Sequence, residues 1–376
     1  MTERYIGLMS GTSMDGIDAV LVLIEGDELR VEAALSHPWP TAHELHALCT
    51  PGDNEIDRMG VADNLVAREF AAATHALLAK AGLTPKDIRA IGSHGQTIRH
   101  RPQLGFTLQI GNAALLAALT GIDVVADFRT MDMALGGQGA PLVPAFHQAF
   151  FARPGALRVV LNLGGIANIS VLPGQADGVY GFDTGPANTL LDGWYRRHHP
   201  KGAGYDAGGQ WAGYDAGGQW AASGQLIPAL LEQLLAHPYF AAPHPKSTGR
   251  EMFTLDWLDG ELAGHAHAPA DVQRTLQALT CHSIARQLPA LADAQSQPEL
   301  YVCGGGAHNA PLLAELASLL PGWRIANTAE LGIAPDWMEG AAFAWLAQCF
   351  IHRQPGNLPA VTGASRPAVL GALYPA

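Results

Sequence analysis

Two separated stretches of this 376-residue chain carry the same local pattern, and that repetition constrains the fold more than any other feature. An apolar run, Tyr5 to Met9, enters a turn of small and hydroxyl-bearing residues, Ser10-Gly11-Thr12-Ser13-Met14-Asp15-Gly16, and a second apolar run, Ala19 to Ile24, follows. Much further along, Val159 to Leu163 runs into Gly164-Gly165, and Ala167 to Leu172 follows. Short apolar runs bounded by glycine turns read as strands joined tightly. Each turn can form a nest of backbone N–H groups suited to phosphate. Asp15 and Asp18, at the first turn, have the oxygen chemistry to hold Mg²⁺ directly or through water. A plain hairpin carries the same residue types, so neither turn identifies a function alone. Two such halves facing each other would set two phosphate-binding turns across one cleft, where α/β sheets take their ligands.

Periodicity extends this alternation. Strands are expected over 4–9, 17–24, 29–36, 88–93, 106–110 and 122–127, with helices over 56–82, 112–120 and 141–151. The second half predicts strands over 159–163, 167–172, 178–182 and 299–303. Its helices are expected over 186–198, 222–236, 271–288, 311–320 and 335–352. One segment, Ala203 to Trp211, recurs unchanged as Ala212 to Trp220. Nine residues repeated once are too short for a solenoid, whereas a tandem duplication that lengthens a surface loop costs little. The second copy runs into a helix near Ala221 and is read as the ancestral one.

Several classes of function are disfavoured. The formal charge of −12, with no basic stripe, makes nucleic acid and anionic membrane poor partners. Four cysteines without CxxC spacing indicate neither a zinc ribbon nor a disulfide framework. His43, His46 and Cys49, and the His265/His267 pair, lack the spacing of known metal sites. No signal-peptide layout and no apolar run of membrane-spanning length are expected, so the chain reads as reduced and cytoplasmic.

The candidate chemistry lies where strands end. Asp183, in Gly181-Phe182-Asp183-Thr184-Gly185-Pro186, is expected at a strand end, with Pro186 at the first position of a helix. A general base and a helix N-cap are both open to it. Asn162, Gly164 and Gly165 form the second phosphate turn, and Gly304-Gly305-Gly306 would let a nucleotide lie against bare backbone. That triplet matches neither a P-loop nor a GxGxxG fingerprint. His94, Gln96 and Thr97 could meet a hydroxylated substrate, and Arg129 could pair with a carboxylate, beside the run Gly136 to Pro141. Lys246-Ser247-Thr248-Gly249-Arg250-Glu251 reads as a charged loop, and Glu339 opens the last helix.

Taken in order, Ser10 to Asp18, Gly92 to Thr97, Asn162 to Asn168, Gly181 to Pro186, Lys246 to Glu251 and Cys303 to Asn309 strongly resemble the anhydro-N-acetylmuramic acid kinase family over residues 5–350. The resemblance implies an α/β, two-lobed actin/hexokinase/Hsp70-like fold with an ATP cleft between lobes. It implies lobes of 1–140, joined by the tail 355–376, and 141–354. The implied reaction converts 1,6-anhydro-N-acetylmuramic acid, ATP and water into N-acetylmuramate 6-phosphate and ADP. Mg²⁺, a homodimer and a place in cell-wall recycling come with it. By position, Gly11 to Asp18 looks like the ATP phosphate loop, Asp183 like the catalytic base aided by Glu339, and Gly304 to Gly306 like part of the nucleotide site. Three departures stand out: Ala187 where Gly is common, Gly340 where Ala is usual, and the duplicated loop. The alternatives are another sugar or acyl-group kinase of the same superfamily and an Hsp70-like nucleotide-switched binding protein.

Overall fold

The first apolar repeat forms β1 (Thr2–Ser10) and β2 (Ile17–Glu25), which pair antiparallel with Met9 opposite Asp18, and β3 (Glu28–His37) continues the meander. On the other side of β1, β4 (Ala90–Arg101) pairs parallel with it, and β6 (Val124–Ala126) pairs parallel with β4. A short strand, β5 (Phe106–Ile110), folds back on the far end of β4. Side chains on successive positions of β1 and β2 are buried on both faces because a helix covers each. Ile6, Leu8, Ile17 and Leu21 share a core with Val66 and Phe70 of helix Glu55–Ala81. Helix Met338–Ile351 packs on β1, β2 and β4.

The second repeat builds the same sheet again. β7 (Arg158–Leu163), β8 (Ile166–Leu172) and β9 (Tyr180–Pro186) form an antiparallel meander. β10 (Glu299–Cys303) pairs parallel with β7, and β11 (Arg324–Asn327) pairs parallel with β10. The orders β3-β2-β1-β4-β6 and β9-β8-β7-β10-β11 are therefore the same topology, with the two glycine turns at equivalent places. Val159, Leu161, Leu163 and Val302 are buried against Leu276, Leu279 and Leu312 of helices Pro269–Ala285 and Ala310–Leu319. The last strand, β12 (Ala372–Tyr374), returns to pair antiparallel with β6.

This computed structural model describes residues 2–11, 14, 16–39, 43–175, 178–200, 213–244, 246–249, 252–288 and 297–376. The chain divides into two compact units, Met1–Phe151 with Leu331–Ile333 and Trp337–Ala376, and Ala152–Glu330 with Ala334–Asp336. The expected division at 140 and 354 is corrected: helices Val143–Phe151 and Met338–Ile351 both belong to the first unit. The physical reason is close packing. A Cβ on Gly7 would lie 1.8 Å from the Gly340 carbonyl oxygen, and one on Gly92 would lie 2.0 Å from that of Phe343. Helix backbone thus rests directly on strand backbone.

The first copy of the nine-residue repeat lies outside the described residues, but most of the second is described. Asp215 accepts from the N–H groups of Trp220 (2.8 Å) and Ala221 (2.9 Å), and the Trp220 ring meets Tyr195 and His199 of the preceding helix region. The helix expected over 222–236 is split into Gln219–Ser223 and Pro228–Leu235, because a Cβ at Gly224 would lie 2.1 Å from the Ala270 carbonyl oxygen.

Candidate active site

In the second unit, β9 continues past the expected strand end, so Asp183 lies within the strand, opposite Asn168 of β8. The β8–β9 register shifts between Ala167 and Asn168, an irregularity of the kind that re-aims side chains. The segment 246–249 lies along this strand. Asp183 N–H donates to the Lys246 carbonyl at 3.2 Å, and Thr248 N–H donates to Asp183 Oδ2 at 3.0 Å. The Tyr239 hydroxyl donates to the Asp183 carbonyl at 2.6 Å. Lys246 in turn donates to the Tyr239 carbonyl at 3.0 Å, its ammonium 4.7 Å from the centre of the Tyr239 ring. Burial pushes the Asp183 carboxyl from its ordinary 3.8 up to about 6, with the Thr248 N–H pulling the other way. A carboxylate poised there is matched to accepting a proton near neutrality.

Pro186 does not open a helix, which corrects that expectation. It ends β9, and helix Asn188–His198 begins after Ala187. Ala187 and Thr189 N–H donate to the Gly165 carbonyl (both 3.0 Å), and Asn188 N–H donates to that of Gly164 (3.1 Å). The β7–β8 turn therefore caps the helix start with its own carbonyls, which satisfies donors that need acceptors. The backbone of Ala187 has φ −125°, outside the left-handed region, so a residue other than glycine fits there.

The glycines separate into two kinds. Gly304 has φ +78°, and a Cβ there would lie 2.4 Å from Asn162 Oδ1; a Cβ on Gly306 would lie 2.6 Å from Leu163 Cβ. These two are required by packing of the glycine triplet onto the end of β7. Around Gly305 and Gly164 there is room, since an added Cβ would meet nothing nearer than 3.9 Å and 3.6 Å respectively. Bare backbone open to solvent on neighbouring strand ends is a surface on which phosphate or a flat base can lie.

The first unit carries a second polar group. Of its turn, Thr12, Ser13 and Asp15 lie outside the described residues. Ser10 Oγ donates to the Gly16 carbonyl (3.0 Å) and accepts from Trp39 Nε1 (2.9 Å). Gln96 Nε2 donates to the Gly11 carbonyl at 3.2 Å, and the Met14 side chain is buried in the core with φ 55°. The Ser10, Met14 and Gln96 side chains are all buried, and Ser10 and Gln96 hold the turn through its Gly16 and Gly11 carbonyls. Gly16 allows β3 to approach, a Cβ there lying 2.7 Å from Ser36 Oγ. Asp18 is half-buried on β2.

Beside this turn, the β1–β4 register shifts between Leu8 and Ser10, and Gly95 adopts φ +73°. His94 meets Arg129 there, its Nε2 taking Nε at 3.1 Å and Nη2 at 2.9 Å, while Nη1 donates to the Gly139 carbonyl at 2.7 Å. A guanidinium only donates, so His94 Nε2 is the acceptor and the ring proton sits on Nδ1. Burial, then the Arg129 charge, holds His94 well below its usual range and therefore neutral. Burial lowers Arg129 to about 10, opposed by Glu339 and Asp132. Burial also raises Glu339, and Arg129 opposes that rise. Arg129 thus hydrogen-bonds His94 and acts on Glu339 through its charge. Thr97 is engaged elsewhere, accepting from Gln109 Nε2 at 3.1 Å across β4 and β5.

Sequence reasoning missed Tyr239 and Asp132, neither of which sits in a recognisable motif. The Lys246 run was visible as a polar loop, but its attachment to Asp183 is a contact between distant segments. Among the described residues no three His, Cys, Asp or Glu side chains gather as a metal cluster.

The family model for anhydro-N-acetylmuramic acid kinase matches residues 3–376. Fold and match together define a kinase built from two α/β units of one topology. Curated relatives from Shewanella loihica and Shewanella oneidensis, both named anhydro-N-acetylmuramic acid kinase, are each 54% identical over 377 residues, covering 99% of this chain and 98% of their own. Component A of the Acidaminococcus fermentans (R)-2-hydroxyglutaryl-CoA dehydratase resembles it distantly, with a TM-score of 0.43 and 9% identity over 91% of this chain and 96% of that one. The chain belongs to the anhydro-N-acetylmuramic acid kinase family.

Proposed function

We propose that this kinase opens the internal bridge of 1,6-anhydro-N-acetylmuramic acid with water and phosphorylates O6 from ATP, with Asp183 as general base. Asp183 takes a proton from water as that water attacks the anomeric carbon. The C1–O6 bond breaks, and O6 attacks the γ-phosphorus as the bond to ADP breaks. Water entering opposite the departing oxygen gives the geometry of an inverting glycosidase. The observation carrying this reading is Asp183, its backbone held by Tyr239 and Lys246, its carboxylate held by the Thr248 N–H and raised to about 6, in a chain matched by the family over its length. Glu339 assists, and Arg129 pairs with the sugar's carboxylate through the two N–H groups that His94 and Gly139 leave over.

Phosphate contacts come from the backbone of Gly11 and Gly16 in one turn and of Gly164, Gly165 and Gly305 in the other. The open backbone at Gly164 and Gly305 fits a nucleotide. For Mg²⁺, Asp18 is the described donor, and a single carboxylate that leaves the remaining positions to water and phosphate fits this ion. Asp15 would share that role but lies outside the described residues. When bound, the ion neutralises charge on the phosphates. The same reading has the enzyme act in the cytoplasm as a homodimer, in cell-wall recycling.

The test is transfer of labelled γ-phosphate to anhydro-N-acetylmuramic acid, with a panel of other sugars and acyl acceptors, with and without Mg²⁺. Asp183→Asn is expected to retain ATP binding and to lower turnover by about 10² to 10⁴, the span of a general base. Near-normal turnover in that variant, or preference for another acceptor, overturns the reading.

A further inference from the structure

Asp132 is fully buried, it lies in no motif, and among the groups described above it acts on Arg129. Its carboxylate is saturated by donors from three segments. Asn357 Nδ2 and Thr362 Oγ1 both donate to Oδ1 at 2.7 Å, and Gly139 N–H donates to Oδ2 at 2.8 Å. The backbone around it is stitched the same way. Gln138 N–H donates to the Thr362 carbonyl at 2.8 Å, and Ala368 N–H to Asn357 Oδ1 at 2.7 Å. The space is closed, since a Cβ on Gly137 would lie 2.3 Å from Asp132 Oδ2. The residue that Asp132 fixes through its N–H, Gly139, is the one whose carbonyl receives Arg129 Nη1. Both sides of a single residue, its N–H and its carbonyl, thus join a buried carboxylate to the guanidinium.

We infer that Asp132 is a positioning residue: through Gly139 it sets where the Arg129 guanidinium lies, and hence the Arg129–His94 pairing and the Arg129 charge facing Glu339. A structural anchor alone would satisfy its donors anywhere in the unit. This one converges on the Gly139 peptide that an otherwise buried cation needs, and its negative charge also favours the charged form of Arg129. Asparagine cannot replace it, because an amide presents an N–H where Asn357, Thr362 or Gly139 already offers a donor. Exchanging the partners, Asp132→Asn with Asn357→Asp, restores a complementary set: the new amide gives Oδ1 to Gly139 and Nδ2 to the new carboxylate.

The test uses full-length protein with ¹⁵N-labelled histidine, His94 being assigned from the spectrum of His94→Gln. Wild type should show His94 as a single tautomer with a proton on Nδ1 only. Asp132→Asn should lose that single tautomer and lower kcat by roughly 10- to 100-fold, the effect of a small misplacement of a site group. The KM for ATP should stay within about twofold, since the phosphate turns are untouched. The exchanged double variant should recover both readouts. Should Asp132→Asn fail to fold, Thr362→Val removes one donor and is expected to broaden the His94 signal, with Thr362→Ser behaving as wild type. An unchanged His94 tautomer in folded Asp132→Asn or Thr362→Val overturns the inference, as does a double variant no better than the single. The kinetic arm rests on the roles proposed above for Arg129 and Glu339. The tautomer arm does not, so an altered tautomer with unchanged kcat would indict those roles and spare Asp132.

Discussion

Replacing Asp183 by asparagine should make the protein more stable while removing its activity, and the size of the gain follows from the carboxyl's surroundings. Burial raises this group from 3.8 to about 6, so between those pH values the folded chain holds a proton that the unfolded chain releases. Stability therefore falls as pH rises through that window and stays reduced above it. The span of about 2 pH units, at about 1.4 kcal/mol each, is worth about 3 kcal/mol. Asparagine removes that penalty, which is already net of the Thr248 N–H because the value of about 6 includes its pull. A net gain of about 3 kcal/mol in a unit of this size raises its melting temperature by roughly 6 to 12 °C. Scanning calorimetry at about pH 8 should show that rise in the second unit's transition, and at about pH 4 the gain should vanish. A variant that melts no higher than wild type at the alkaline pH, or gains equally at both, would refute the assignment of a strained carboxylate to Asp183.

The same carboxyl predicts that kcat/KM falls below a pH of about 6, with the slope of one protonation, as the base becomes neutral; a flat profile down to about pH 5 would remove Asp183 from the limb. Deleting Ala203 to Trp211 should leave folding and phosphotransfer intact, because Asp215 and Trp220 of the second copy already make the contacts; loss of soluble protein would give the first copy a structural role. Gly340→Ala should destabilise the first unit by about 1 to 3 kcal/mol through overpacking, since its Cβ would lie 2.4 Å from Val20 Cγ2. Adding Val20→Ala should recover about 1 kcal/mol or more beyond additivity in urea unfolding, and strict additivity would show that the clash is relieved elsewhere.

The elements that alternate apolar runs with glycine turns were legible because their signals are local. β1, β2, β7 and β8 lie within a residue or two of their expected bounds, as does helix Glu55–Ala81. The Gly185-Pro186 punctuation also placed Asp183 on the correct strand, though not its position within it, since β9 extends to Pro186 only because β8 continues alongside it. Motif order was enough to name the family, and the match over residues 3–376 agrees.

What composition and spacing settled about this protein was the doubled α/β plan and the glycine turns, and they singled out Asp183 as the candidate carboxylate. Tertiary structure decided which polar groups are engaged: Ser10 and Gln96 brace a turn, whereas Tyr239 and Lys246 secure Asp183 from another part of the chain. It also decided that helix Met338–Ile351 belongs with the first sheet, and that Asp132 governs Arg129 through one peptide. The reason is reach. Periodicity and turn chemistry act over a few residues, but burial, which raises Asp183 and holds His94 neutral, is created by segments that meet only after folding.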